Sequence, residues 1–310
     1  MNITREQAER LRNENKSFLD TYSKGIKKWF TVWKICGIFI IISAVLIFIK
    51  PLIGIIISVP TIVFFIVSFS IIQKKEKAIC LERDHYSPSG KFILALKELE
   101  KDCFSPTAAN KFNELLTEEK DIRTRAIIRN LIADICFIKG DYNSAYRAIY
   151  KDEELFKKDS FFELVYYSDL LRYYVSKTST TGGTEYAEEA YRSFVSVFDK
   201  LPEEKIDFSS YCYAIISEIY LSYHRGDCVK CIEHIDILLA LSESINNFVA
   251  TESALYELMK AECLEKMGRY EESLALCDKA GPVLSKARLT VARANQLAKR
   301  LHEQIGTGKE

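Results

Sequence analysis

Glycine and proline are scarce, together supplying 18 of 310 residues, about half of the roughly 12% of an average chain. A many-stranded β protein needs more turn residues than that, so helix is expected throughout. Histidine is scarcer still, with four residues at 85, 224, 234 and 302. No Ser-His-Asp, paired-carboxylate or glycine-rich constellation rises above background, so neither an enzyme nor a cofactor is expected. What is present, 48% hydrophobic and 28% charged residues, excludes a disordered or fibrous chain, and the length suggests about two folding units.

Net charge is also lacking, at +0, but its parts are unevenly placed. Residues 1–34 hold eight Lys/Arg against four Asp/Glu, Lys50 adds one, and residues 73–77 hold three Lys against one Glu. The first quarter is therefore basic, and the remainder carries a matching excess of acid. An acidic body repels a phosphate backbone, which argues against a nucleic-acid partner. The basic quarter surrounds a membrane-like segment.

From Ile35 to Ile72 the only charged residue is Lys50, followed by Pro51. The run reads as two transmembrane helices, 29–49 and 52–72, within a hairpin over 29–73. A 21-residue helix of about 31 Å matches a hydrocarbon core of roughly 30 Å. The shorter first half reaches that length with Trp29, Phe30 and Trp33 in the interface and Lys34 snorkelling outward. Lys24, Lys27 and Lys28 precede the first span and Lys74, Lys75 and Lys77 follow the second. Retention of positive charge therefore places both termini in the cytoplasm. Neither span has an intramembrane Asp, Glu, His or Arg, so no ion path is indicated and the hairpin reads as an anchor in the lipid bilayer. The Ile-rich spans and the Lys-, Tyr- and Ile-rich body suggest a bacterial inner or plasma membrane. A signal peptide is the rival, without its short apolar core or cleavage site.

Residues 1–28 form an expected amphipathic helix. Thr4 and Gln7 fit a capping box, and Ala8, Leu11, Phe18 and Tyr22 share a stripe with Asn15 among them. Such a helix can lie on the membrane, pack on the body, or pair with a second copy, which leaves homo-oligomerisation open.

In the body, 78–310, one triplet recurs: Gly140-Asp141-Tyr142, Gly226-Asp227-Cys228 and Gly268-Arg269-Tyr270, at spacings of 86 and 42. The midpoint of the longer gap falls at Gly183, which implies a unit of about 42 or 43 residues, the range of stacked helix pairs. Each triplet follows a small or apolar residue (Ala133, Ile219, Ala261). It precedes a small one (Ala145, Cys231, Ser273) and, four later, Ile149, Ile235 or Cys277. The spacing predicts helices over 90–101, 106–118, 121–139, 142–155, 159–177, 184–199, 208–224, 227–244, 249–267, 270–280 and 284–304. The last has the polar outer face of a terminal cap. The tail Gly306-Thr307-Gly308-Lys309 lacks the spacing and flanking elements of a phosphate loop.

With Ala133, Gly140, Tyr142 and Ala145 in one unit and Ala261, Gly268, Tyr270 and Ser273 in another, the body resembles the tetratricopeptide-repeat family. The match is partial at Gly226 and poor at Gly183. The family's period is 34, so helices or connectors are longer here, and a HEAT-like or irregular helical solenoid stays open. The resemblance implies a TPR-like α-solenoid, here of about five helix pairs, binding a protein or peptide on its concave face; with the two-span hairpin read from the apolar run before it, an all-α chain is expected.

Helical geometry places Asn130, Asp134, Tyr213, Tyr220, Tyr223, His224, Glu262 and Glu265 on that face. This aromatic and acidic lining suits a peptide or helix of basic character. Family members that clamp a terminal carboxylate use Lys and Asn, and the acids depart from that. The alternative is that the tyrosines pack between pairs while the acids are a solvated face.

His224, Cys228, Cys231 and His234 put four zinc-type ligands within eleven residues. One helix aims them poorly at one metal, and the repeat puts both cysteines at core positions, so a redox or zinc sensor is a minor alternative. The nine cysteines are odd in number and scattered, as expected of reduced cytoplasmic thiols. The expectation is a membrane-anchored adaptor or scaffold. Its rival is an accessory subunit that contacts a membrane complex through Gly37, Ser43 and Ala44 of the hairpin.

Overall fold

A computed structural model of the chain describes residues 5–49, 51–83, 89–104, 106–151, 153–181, 184–202, 206–241 and 247–307. These form fourteen helices, with no strand among the described residues. They group into two compact units, residues 11–90 and residues 91–310 together with the first ten.

The smaller unit is a helical hairpin of α1, Arg5–Ile49, and α2, Pro51–Arg83. The amphipathic segment and the first span are thus one continuous helix, because no proline or glycine pair interrupts the backbone between them. Stretches Ser23–Val45 and Ile55–Lys75 are long and apolar enough to cross a membrane, and 11% of each is buried. That low figure separates them from the core helices of a soluble protein. Ile38, Ile41, Ile56 and Phe64 are among the exposed apolar side chains. The two helices meet through Trp33, stacked on Phe65 at 5.0 Å between centroids. Gly37 faces the same ring, and a Cβ there would stand 3.8 Å from Phe65, an ordinary contact. Hydroxyls in the apolar stretch bond back along their own helices, Ser43 to Ile40 at 2.9 Å and Ser68 to Phe65 at 3.0 Å, which satisfies them without water. Thr4, Lys50, Gly182 and Gly183, and the side chains of Ala8, Asn15, Phe18 and Tyr22, lie outside what the structure describes.

The larger unit contains α3 (Gly90–Lys101), α4 (Pro106–Glu118), α5 (Ile122–Lys139), α6 (Tyr142–Tyr150), α7 (Glu153–Phe156), α8 (Ser160–Thr181) and α9 (Thr184–Phe198). They are followed by α10 (Phe208–Arg225), α11 (Cys228–Leu241), α12 (Asn247–Lys266), α13 (Tyr270–Val283) and α14 (Arg288–Thr307). Helices α5 and α6, α8 and α9, α10 and α11, and α12 and α13 pack as successive hairpins. The expected helix over 142–155 is divided into α6 and α7, and the last helix begins at Arg288 rather than 284 because α13 runs through Pro282.

The recurring triplet is a helix-to-helix hinge. Gly140, Gly226 and Gly268 have φ of 77°, 73° and 75°, the left-handed conformation that ends a helix and favours glycine. Reversed bonds close the last turns, from the Asp141 N–H to the Cys136 carbonyl at 2.9 Å and from the Asp227 N–H to the Ser222 carbonyl at 2.9 Å. The next residue then opens the second helix. Asp141 accepts from the Ser144 N–H and Asp227 from the Lys230 N–H, each at 3.2 Å, whereas Arg269 gives no side-chain cap. The small or apolar positions flanking each hinge, Ala133, Ile219 and Ala261 before it and Ala145, Cys231 and Ser273 after it, are all fully buried. Ser273 donates to the Ala261 carbonyl at 2.7 Å, so the two helices of that pair touch at backbone distance.

Helix α14 does more than cap the end. It packs on α13 and also reaches α5. The Thr290 hydroxyl donates to the Ile138 carbonyl at 2.5 Å, and Lys286 pairs with Asp102 at 2.8 Å. The last helix thereby closes on the first hinge, and the inner sides of α5, α8, α10, α12 and α14 come together.

Candidate functional site

At the centre of the unit lies Arg172 of α8, whose side chain is 1% exposed. Its Nη1 donates to Asp134 Oδ1 at 2.5 Å and to Asp169 Oδ1 at 3.1 Å. Its Nη2 stands 4.0 Å from Glu252 Oε1. The guanidinium lies 4.3 Å from the centre of the Phe137 ring and 5.8 Å from that of Tyr220, where ring faces attract a cation. Asn130 bridges onward, donating to Asp169 at 2.9 Å and accepting from the Tyr213 hydroxyl at 3.0 Å. Three carboxyls thus surround one buried cation, and Arg172 Nε and Nη2 have no hydrogen-bond partner.

Desolvation dominates the acids. Burial pushes Asp169 up to about 7 against the opposing pull of Arg172, with Asp134 adding to the rise. Glu252 is also pushed up to about 7, by burial and then by Asp134, and burial raises Asp134. Burial likewise raises Tyr213, Tyr220 and Tyr256, which keep their protons. A carboxyl whose folded pKa exceeds its unfolded value binds its proton more tightly in the native state. Stability therefore falls as pH rises through the folded pKa and is fully recovered only below the unfolded one. Between pH 8 and pH 6, each group with a folded pKa near 7 contributes on the order of 1 kcal/mol. Thermal unfolding of the full chain in detergent should accordingly show a midpoint higher at pH 6 than at pH 8 by roughly 3 to 10 °C. Asp169→Asn should flatten that slope, and a midpoint that rises with pH would contradict the assignment.

A second polar centre lies alongside. Arg293 of α14 holds Glu262 of α12 with two bonds, Nε to Oε1 at 2.5 Å and Nη2 to Oε2. The Tyr223 hydroxyl of α10 donates to Glu262 Oε2 at 2.7 Å. Burial works against the charged guanidinium, but Glu262 and Tyr223 hold its pKa well above the ordinary value. Burial and the neighbouring Glu262 carboxylate raise the Tyr223 hydroxyl. Glu265 is paired the same way, with Arg300 at 2.8 and 2.9 Å.

Between the two centres is a cavity of about 340 Å³. Phe137, Tyr142, Val175 and Ser176 line one part of it, from α5, α6 and α8. Tyr220, Tyr223, Leu255 and Met259 of α10 and α12 line the rest, together with the Glu262–Arg293 pair.

Of the eight residues expected on the concave face, the structure brings seven into these networks and leaves His224, whose buried Nε2 has no partner, outside them. It places Asn130, Asp134, Tyr220 and Glu262 in the interior, at 4%, 8%, 4% and 9% exposure, and Tyr213, Tyr223 and Glu265 half-buried. The acids meet arginines of the same chain, so the face is a network of paired charges rather than an unpaired acidic groove. Sequence reasoning missed Asp169, Arg172, Glu252, Arg293 and Arg300. The seven-residue spacing of Arg293 and Arg300, which repeats on one helix face, was the available signal.

The zinc-type residues are placed otherwise. Cys231 is fully buried. Burial, then the neighbouring Cys263, raises the Cys228 thiol. A bond with Cys231, then burial, raises Cys263. Protonated thiols are the wrong form for a zinc ligand or a nucleophile. His224 Nε2 and His234 Nδ1 are buried without a partner. Among the described residues no group of three or more His, Cys, Asp or Glu is placed to hold a metal.

Compared with models of protein families, with curated proteins and with solved structures, the chain matches none.

Proposed function

We propose that the chain is a membrane-anchored adaptor, a TPR-like helical-repeat domain held at the cytoplasmic face of a bilayer by a two-span hairpin, recognising a protein or peptide and performing no chemistry of its own. The observation that carries this reading is the convergence of six helices on one polar-ended cavity. Glu262, Arg293 and Tyr223 sit there in a bonded array. The repeated glycine hinge with its buried small residues supports the repeat architecture. The apolar, outward-facing hairpin and its flanking lysines support the anchor and its orientation.

The rival contact through the hairpin has less behind it. Gly37 and Ser43 pack inside the hairpin itself, and only Ala44 of the three small residues is exposed.

The test is recovery of partners by affinity purification of the full-length protein from detergent-solubilised membranes. It compares the unaltered chain, a Tyr223→Ala variant, and a chain carrying an unrelated two-span hairpin. The expected result is a stoichiometric partner kept on hairpin exchange and reduced at least tenfold by Tyr223→Ala. A partner lost with the hairpin and kept by Tyr223→Ala would move the contact into the membrane and end the adaptor reading.

A further inference from the structure

We propose that the cavity between α5, α6, α8, α10, α12 and α14 binds a free amino acid with a large apolar side chain. The inference rests on the reading of this domain as a recognition module and assigns its concave site a small ligand.

Size argues first. Pockets for small molecules run from about 300 to 1,000 Å³, and this one, at about 340 Å³, lies at the low end. A three-turn helix of about 10 Å diameter and 16 Å length occupies on the order of 1,000 Å³. A single amino acid therefore fits this volume whole, whereas a protein partner can place no more than a side chain in it.

Charge argues second. Among the described residues, the charged ones lining the cavity are Glu262 and Arg293, already paired with each other. A net anion would take Arg293 and strand Glu262, and a net cation would do the reverse. An unpaired charge in such a site is costly. A zwitterion avoids both outcomes: its ammonium meets Glu262, its carboxylate meets Arg293, and the total charge of the site is unchanged. Arg293 engages Glu262 through Nε and Nη2, which leaves Nη1 outside the pair. The Tyr223 hydroxyl lies on both partners, at 2.7 Å from Glu262 and 3.4 Å from Arg293 Nη2, and so holds their geometry. Behind Phe137 and Tyr220, three carboxyls to one guanidinium give a field that further opposes a net anion.

Shape argues third. The remaining wall is aromatic and aliphatic, with Phe137, Tyr220, Leu255 and Met259 facing a side chain whose burial drives association.

The experiment titrates the full-length chain in detergent micelles with L-phenylalanine and L-leucine, read by calorimetry and by the thermal midpoint. Saturable binding of at least one is expected. Glycine, the phenylalanine amide (no carboxylate) and N-acetylphenylalanine (no ammonium) should each bind at least tenfold more weakly. This series tests the site on the unaltered protein. Ser176→Phe, which places a ring at the cavity wall, should abolish binding in a chain that still unfolds cooperatively. Absence of saturable binding by either amino acid, equal binding of the blocked analogues, or undiminished binding by a folded Ser176→Phe variant overturns the proposal. If no amino acid binds while Tyr223→Ala still releases a protein partner, this inference falls and the adaptor reading stands. If an amino acid binds as described but no partner is recovered, the site is upheld and the adaptor reading fails.

Discussion

Arg172→Met should destabilise the helical domain by about 3–5 kcal/mol at pH 8, the cost of leaving buried carboxylates without their cation. The residue is 1% exposed and donates to Asp134 and Asp169 from one nitrogen. Methionine keeps much of the volume, so the loss reads charge rather than a cavity. At roughly 2–4 °C per kcal/mol for a domain of this size, the unfolding midpoint should fall by about 6–20 °C. Two further readings separate this from a general packing defect. Asp169 and Glu252 already lie near pH 7, and without Arg172 they take up protons more readily, so the loss should shrink at pH 6. A second substitution, Asp169→Asn, should restore part of the stability at pH 8 by removing a stranded charge. A variant within about 1 kcal/mol of the parent, or one whose deficit is the same at both pH values, would refute the cluster.

The second large effect belongs to Gly140→Ala. All three hinge glycines have the same positive φ, and an L side chain there costs roughly 1–2 kcal/mol. Around Gly226 and Gly268 a Cβ meets nothing within 4 Å, so Gly226→Ala and Gly268→Ala should show the backbone cost alone. At Gly140 the added carbon would stand 2.9 Å from Leu289 Cβ and 3.4 Å from Thr290 Oγ1, side-chain atoms rooted on α14. Helix α14 must shift, and the Thr290 bond to the Ile138 carbonyl goes with it. Gly140→Ala should therefore lose about 1–3 kcal/mol more than its two counterparts, the usual cost of overpacking. Since α14 also carries Arg293 and Arg300, the same variant should weaken binding in the cavity. Equal midpoints for the three variants in thermal unfolding would mean that α14 does not close on α5.

The residues themselves announced much of the architecture. Low glycine and proline content pointed to helix, and the uncharged run from Ile35 to Ile72, broken only by Lys50, pointed to two membrane-length segments. The Gly-Asp and Gly-Arg triplets marked the hinges, because a left-handed helix end, followed at Asp141 and Asp227 by a capping side chain, is a local requirement that local sequence can encode. Asn130, Asp134, Tyr220 and Glu262 could be placed together on one side from helical periodicity. Their state could not: the acidic face looked solvated or open to a basic partner until Arg172, Arg293 and Arg300 were seen against it.

Sequence alone therefore determined what each short stretch does with its own backbone: helix, hinge, and apolar span. Only the tertiary structure decided that α14 returns to α5, that Arg172 of α8 lies among carboxyls 38 residues back at Asp134 and far ahead at Glu252, and that a cavity remains between them. The physical reason is range. Capping, φ preference and amphipathic periodicity act within a turn or two of helix, whereas ion pairing and closure depend on which distant helices share an interior, a choice set by packing of the whole core.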